Sequence, residues 1–152
     1  MRYRPISILT ILMLVHASEA SAQEWRAEGK GTGVRATFTQ KGRPAGIQFA
    51  CIGEGRVRTL VSGNGARFSE DRDLSLILSV DGLARIQSIR AEREPNGVGS
   101  RFVRTDPVAA LEDLFAALRK GKELELSSPA GHWRLPLKGS GNALGALLQQ
   151  CR

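Results

Sequence analysis

Residues 122–151 read KELELSSPAGHWRLPLKGSGNALGALLQQC, and the fold turns on this stretch. Leu124 and Leu126 alternate with Glu123 and Glu125, the period of two that marks a half-buried strand with its leucines inward. Pro129-Ala130-Gly131 is turn chemistry, since Pro presets φ and Gly tolerates φ above zero. Trp133, Leu135 and Leu137 then alternate with Arg134 and Pro136, so the two strands form a hairpin. Pro136 has no N–H for a ladder, which places the second strand at an edge or a bulge. Ser140 or Asn142 is positioned to cap a helix. In that helix Leu144, Leu147, Leu148 and Cys151 fall at i, i+3, i+4 and i+7, one face. Cys151 therefore points toward the core. Cys51 is the only other cysteine in the chain and so its only disulfide partner; the alternative is two unpaired buried thiols.

The other end of the chain sets the compartment. Arg2 and Arg4, the apolar run Ile6–Val15 and the small residues Ala20-Ser21-Ala22 have the pattern of a signal peptide over residues 1–22. The run is too short for a stable membrane anchor. The expected mature chain is 23–152, a single β-rich domain, and no later segment is apolar enough to span a membrane. Without Arg2, Arg4 and Glu19 it carries 20 basic and 14 acidic residues, a net charge of +6. Export to the periplasm or beyond favours oxidation of the two cysteines.

Between these ends the chain alternates repeatedly. Glu24–Gly33 reads as a mobile lead-in or a weak first strand, with Trp25 pinning it to the core. Val34, Ala36 and Phe38 form one strand, and Lys41-Gly42-Arg43-Pro44 a turn. Ile47, Phe49 and Cys51 put Cys51 on an inward face. Val57, Thr59 and Val61 oppose Arg56, Arg58 and Leu60. Leu74, Leu76, Leu78 and Val80 precede Asp81-Gly82, a tight hairpin signal. Ile86 and Ile89 are out of strict phase, which predicts a bulge in Leu83–Ala91. Asn96-Gly97 predicts a second tight turn, with a return strand over Val98–Arg104. Asp106 as N-cap, Pro107 at the first helical position and the stripe Val108, Leu111, Leu114, Phe115 and Leu118 predict a helix, ended by Gly121 as its C′ residue. The fold class is α+β: about seven or eight short, mainly antiparallel strands, sandwich-like or in a sheet, with two amphipathic helices.

Little here spells chemistry. Gly139, Gly141 and Gly145 resemble a phosphate loop at a helix N-terminus. No parallel strand or later acidic ribose ligand follows, so the reading is a tight turn plus close helix packing, and no cofactor is expected. His132 is the single histidine after the leader, too few for a catalytic triad or a histidine metal site. Glu70, Asp71 and Asp73 lack the glycine and later glutamate of a calcium loop, so no metal is expected. Glu123 and Glu125 read as solvent-facing charge. The arginines Arg35, Arg43, Arg56, Arg58, Arg85, Arg90, Arg93, Arg101 and Arg104 are spread over strands and turns. If outer faces align, Arg35, Arg56, Arg58 and Arg101 make a positive sheet surface for an acidic protein or an anionic lipid or glycan. Scarce aromatic residues and export disfavour nucleic acid. The bland alternative is a basic surface with no specific ligand.

The stretch Leu124–Leu148, a strand, a turn, Leu135-Pro136-Leu137-Lys138-Gly139 and an Ala/Leu-rich helix, resembles the C-terminal part of the invasion-associated locus B family of exported bacterial proteins. Accessory proteins of type VI secretion have similar hairpin–helix endings. The resemblance implies a role at the cell envelope or in host contact with no catalytic site, so it transfers no functional residues. The expected function is thus a non-enzymatic exported domain that binds a protein or anionic envelope partner. The alternatives are a small periplasmic hydrolase or inhibitor of unfamiliar type, marked by a concave pocket, and a structural subunit of a secretion or envelope assembly, marked by an exposed apolar patch.

Overall fold

The computed structural model describes residues 23–151, and the signal peptide read from residues 1–22 lies outside the described residues. The strands are β1 (Gln23–Glu28), β2 (Arg35–Gln40), β3 (Arg43–Cys51), β4 (Arg56–Ser62), β5 (Asp73–Val80), β6 (Leu83–Arg93), β7 (Ser100–Pro107), β8 (Glu123–Ser128) and β9 (Gly131–Pro136); the helices are α1 (Val108–Lys120) and α2 (Ser140–Gln150). The strands form one nine-stranded sheet in the order β1-β2-β3-β4-β7-β6-β5-β8-β9, with every neighbouring pair antiparallel. The sheet curls until its edges approach, and the Trp25 N–H donates to the Lys138 carbonyl just beyond β9 at 2.9 Å.

The inward residues follow from the alternation. Across β3, β4 and β7 the register sets Ile47 beside Val61 and Val61 beside Phe102. Across β5, β8 and β9 it sets Val80 beside Leu124 and Leu124 beside Leu135. All six are buried. Helix α2 packs on β1, β2 and β3, and α1 packs on α2 and β7. Leu144 and Leu147 of α2 and Leu111, Leu114, Phe115 and Leu118 of α1 complete the core. Cys51, at the end of β3, is joined by a disulfide to Cys151, just past α2, with Cα atoms 5.5 Å apart.

Several local expectations are corrected. The lead-in is a full strand, paired with β2 over all six of its residues, because Trp25 is buried and the Thr39 hydroxyl donates to the Glu24 carbonyl. The turn after β2 is only Lys41-Gly42; Arg43 and Pro44 already belong to β3, where Pro44 stands opposite Thr39. Strand β6 has no bulge, for its register with β5 runs unbroken from Asp73/Arg90 to Val80/Leu83. Ile86 is simply on the outer face, 74% exposed. Asn96-Gly97 is no tight hairpin: the chain loops from Glu94 to Gly99, whose carbonyl accepts from the Glu94 N–H, and Val98 is exposed.

The helix ends also differ. Asp106 and Pro107 complete β7, Pro107 is the N-cap of α1, and no side chain caps it. The Asp106 carboxylate is buried and held by Arg104 instead. Gly121 stops α1 at φ −74°, outside the left-handed region. Space is what it needs, since a Cβ there would lie 2.6 Å from Val80 Cγ1. Neither Ser140 nor Asn142 caps α2; the Ser140 hydroxyl lies 2.7 Å from both the Leu118 and the Leu137 carbonyl oxygens, which share its one proton. Gly139 is the N-cap, at φ 83°, and a Cβ on it would sit 2.6 Å from the Trp25 carbonyl oxygen. Gly145, by contrast, has open space where a Cβ would go, so it is not a packing glycine.

Gly139→Ala is therefore a sharp test of the β1/α2 junction. It forces a left-handed non-glycine residue, costing about 1–2 kcal/mol, and pushes a methyl into backbone that is hydrogen-bonded to Lys138. We expect a loss of at least about 2 kcal/mol in chemical denaturation, against almost none for Gly145→Ala. Equal effects of the two would contradict this packing.

Candidate functional site

The register assembles the arginines on the convex, outer side of the sheet. Arg35 on β2 is opposite Ala50 on β3, Ala50 is opposite Arg58 on β4, and Arg58 is opposite Thr105 on β7. Arg35 and Arg58 thus stand two strand spacings apart, about 10 Å. Arg56 lies two residues from Arg58 on the same strand and therefore on the same face. Ile52, which follows β3, donates its N–H to the Arg56 carbonyl at 3.1 Å and is 48% exposed. The corner thus has three arginine positions on one face, with Ala50 buried between Arg35 and Arg58 and Ile52 exposed at its end.

Arg101 shares the outer face but not the corner. It is opposite Ser62, at the far end of β4 from Arg56, about 20 Å along the strand. Its Nε donates to Glu92 Oε1 at 2.5 Å, and its Nη1 lies 3.9 Å from Glu94 Oε1. Arg58 reaches the other oxygen of the same Glu92 carboxylate. One glutamate thus ties Arg58 to Arg101 and offsets part of their charge. Arg90 is similarly paired with Asp73, and Arg26 with Glu24. Of the four candidate arginines, Arg35 and Arg56 are the exposed ones that appear in no ion pair among the described residues.

Two of the wider arginine set face the other way. Arg104 stands opposite Thr59 and Arg85 opposite Leu78, both partners being inward. Arg104 makes a two-pronged bond to buried Asp106, Nε to Oδ2 at 2.7 Å and Nη2 to Oδ1 at 2.6 Å, and donates to the Ser88 carbonyl at 3.0 Å. The hydrogen bond to Asp106 raises the Arg104 pKa above the ordinary guanidinium value, against the opposing effect of burial. The pair lies within β7, and only the Arg104 bond to Ser88 crosses to β6; it is invisible in sequence because Arg104 and Asp106 read as the tail of a strand and a helix cap.

The remaining sequence candidates stay apart. His132 Nδ1 lies 2.7 Å from the Ser127 hydroxyl on the exposed side of the β8–β9 hairpin. Glu125 pairs with Arg134 at 3.2 Å. The Ser69 hydroxyl bonds Asp71 and lowers its pKa, while Asp73 is occupied by Arg90. Among the described residues no group of three or more His, Cys, Asp or Glu is placed to hold a metal ion, and no helix is long and apolar enough to cross a membrane. A shallow hollow of about 240 Å³ on the outer face is lined by Pro44, Gly46, Gln48 and Leu60 and flanked by Glu94 and Arg101.

No protein-family model matches the chain, and no curated protein sequence does. Among solved structures the chain is similar to invasion-associated protein B from Bartonella henselae, with 19% identity, 82% of this chain and 96% of that chain covered, and a TM-score of 0.46.

Proposed function

We propose that this is a non-enzymatic exported domain that binds an anionic component of the cell envelope, an acidic protein surface or an anionic lipid or glycan, through the outer corner formed by Arg35, Arg56 and Arg58. The observation that carries the reading is that the register places Arg35, Arg56 and Arg58 on one outer face, with Arg35 and Arg56 exposed and in none of the described ion pairs, and the exposed apolar residue Ile52 nearby. Guanidinium forks match carboxylate and phosphate geometry, and an exposed apolar residue beside a basic face suits an amphipathic anionic surface. The leader-like N-terminus, the tail's likeness to exported envelope proteins and the disulfide all support a periplasmic or secreted setting.

Charge reversal tests it. Arg35→Glu/Arg56→Glu leaves the Glu92 bridge to Arg58 intact, so the fold is spared. Binding of the native protein to vesicles containing anionic phospholipid, to lipopolysaccharide and to an envelope-protein fraction is measured at low and high salt. One of these binds, salt weakens it, and the double reversal weakens it at least about tenfold. The same binding by both proteins, or none in any arm, removes the reading.

A further inference from the structure

The sheet has an open strand edge in its middle. Strand β6 pairs with β5 along eight residues, from Leu83 to Arg90. On its other side it pairs with β7 only from Arg90 to Arg93. Strand β7 then diverges from β6 while remaining paired with β4 as far as Pro107. Residues 83–89 of β6 thus have a strand neighbour on one side only.

The hairpin turn tells which backbone groups face the gap. Its two-residue loop, Asp81-Gly82, has φ of 49° and 89°, a type I′ geometry, and closes on the Val80/Leu83 pair. The closing pair of such a loop exchanges both ladder hydrogen bonds, so Leu83, Arg85 and Gln87 bond to β5 while Ala84, Ile86 and Ser88 direct N–H and C=O away from it. Ser88 agrees: its carbonyl accepts from the Arg104 guanidinium, which reaches across the split. Ala84, Ile86 and Ser88 are all exposed. A hollow of about 310 Å³ lies in the split, lined by Ser88, Ile89, Arg90, Val103, Arg104 and Thr105.

Exposed edges of this kind usually carry charged side chains, some of them inward-pointing, a proline or a bulge against stray pairing, and the one such charge here is the inward Arg85. Here the outer face of the edge is Ala84, Ile86 and Ser88, and Ile86 lies beside Ile77, itself 37% exposed. Toward the inside, Arg85 appears in none of the described ion pairs, and the buried Gln87 Oε1 has no hydrogen-bond partner. Arg90 and Arg104 flank the opening, each already paired with an aspartate, Asp73 and Asp106, so Arg85 is the cation left for a ligand there.

We infer that the free edge of β6 takes up an extended acidic peptide segment of a partner protein as an added strand between β6 and β7. Main-chain bonds to Ala84 and Ile86 provide register. An apolar side chain covers Ile86 and Ile77 on the outside. A carboxylate on the inward side meets Arg85. This surface is distinct from the Arg35/Arg56/Arg58 corner and does not depend on it.

The probe is a blocked seven-residue peptide alternating valine and glutamate, with a valine–lysine counterpart, titrated into isotope-labelled native protein. The amide signals of Ala84, Ile86 and Ser88 shift and become protected from exchange, and the lysine peptide binds at least about threefold more weakly. Ile86→Pro removes an outward N–H that β5 does not use, so it is tolerated at an edge and abolishes the peptide response while retaining the wild-type circular dichroism; Ala84→Pro is the second variant should the first fail to fold. No shift at those amides at millimolar peptide, or undiminished binding by the proline variant, overturns the inference. Concentration-dependent broadening of the same amides without peptide, with a dimer in sedimentation, also overturns it and assigns the edge to a second copy of the chain. The corner variant Arg35→Glu/Arg56→Glu still takes the peptide.

Discussion

Replacing Cys51 and Cys151 together with alanine lowers the unfolding free energy by about 2–5 kcal/mol. The cross-link joins positions 100 residues apart, and a closure of that size removes chain entropy from the unfolded state worth about 4.7 kcal/mol in the loop-closure model. A typical domain has only about 5–15 kcal/mol in total, so the loss is a large share. The cross-link holds the end of α2 against the turn that follows β3, where the Cys151 N–H is already satisfied by the Leu147 carbonyl. Folded contacts therefore change little on substitution, and the effect arises mostly in the unfolded chain. That distinction is measurable. The unlinked variant unfolds to a more expanded chain, so its denaturant slope rises as its midpoint falls. Both cysteines are buried, and alanine avoids placing a serine hydroxyl in the core. Reduction of the wild-type protein by excess thiol gives the same two changes. An unchanged midpoint would mean that α2 is held by packing alone.

What the sequence made legible was whatever depends on local period. The alternations at Ile47/Phe49/Cys51, Leu74–Val80 and Leu124/Leu126 gave the strands and their inward faces, and the stripe from Val108 to Leu118 gave α1, because one-sided burial leaves a repeating mark. The mainly antiparallel α+β class followed from these. Strand β1 was ambiguous because it buries a single side chain, Trp25, between charged residues, and one residue makes no period. Asp106 misled because Asp-Pro before an apolar run is a strong helix start, yet the carboxylate is claimed by Arg104 two residues back on the same strand face. Ile86 misled for the opposite reason. An isoleucine out of phase suggests a bulge when every apolar residue is assumed to face inward, but the register of β6 is unbroken and Ile86 stands beside Ile77 on the outer face, in solvent. The arginine corner was half legible. Alternation puts Arg56 and Arg58 on one face, but only the pairing of β2, β3 and β4 brings Arg35 beside them. The Glu92 bridge that ties up Arg58 and Arg101 depends on β6 and β7 meeting, which no local pattern reports.

The second large effect is expected at Phe49. Its ring lies nearly parallel to Trp25 at a centroid distance of 6.0 Å and edge-on to Phe115 at 5.0 Å. It therefore joins the first strand, the centre of the sheet and helix α1 in one aromatic cluster, and it is fully buried. Phe49→Ala removes the ring from a site that cannot collapse, since strand neighbours fix Phe49 between Ala36 and Thr59. The cost is about 3–5 kcal/mol, a fall in melting temperature of roughly 10–20 °C for a domain of this size. Ile86→Ala deletes a similar apolar group from a solvent-facing position and costs within about 0.5 kcal/mol. The two variants separate burial from hydrophobicity as such. A cycle with Phe115→Ala sharpens the test, because edge-to-face rings are worth about 0.5–1.5 kcal/mol beyond their buried area, so the double variant loses less than the sum of the singles by about that amount. Strict additivity would mean that the two rings do not touch, and α1 would then have to sit elsewhere on the sheet. A Phe49→Ala cost no larger than that of Ile86→Ala would mean that Phe49 is not inward, which a one-residue slip of β3 against β4 would bring about by turning every side chain of that strand to the opposite face.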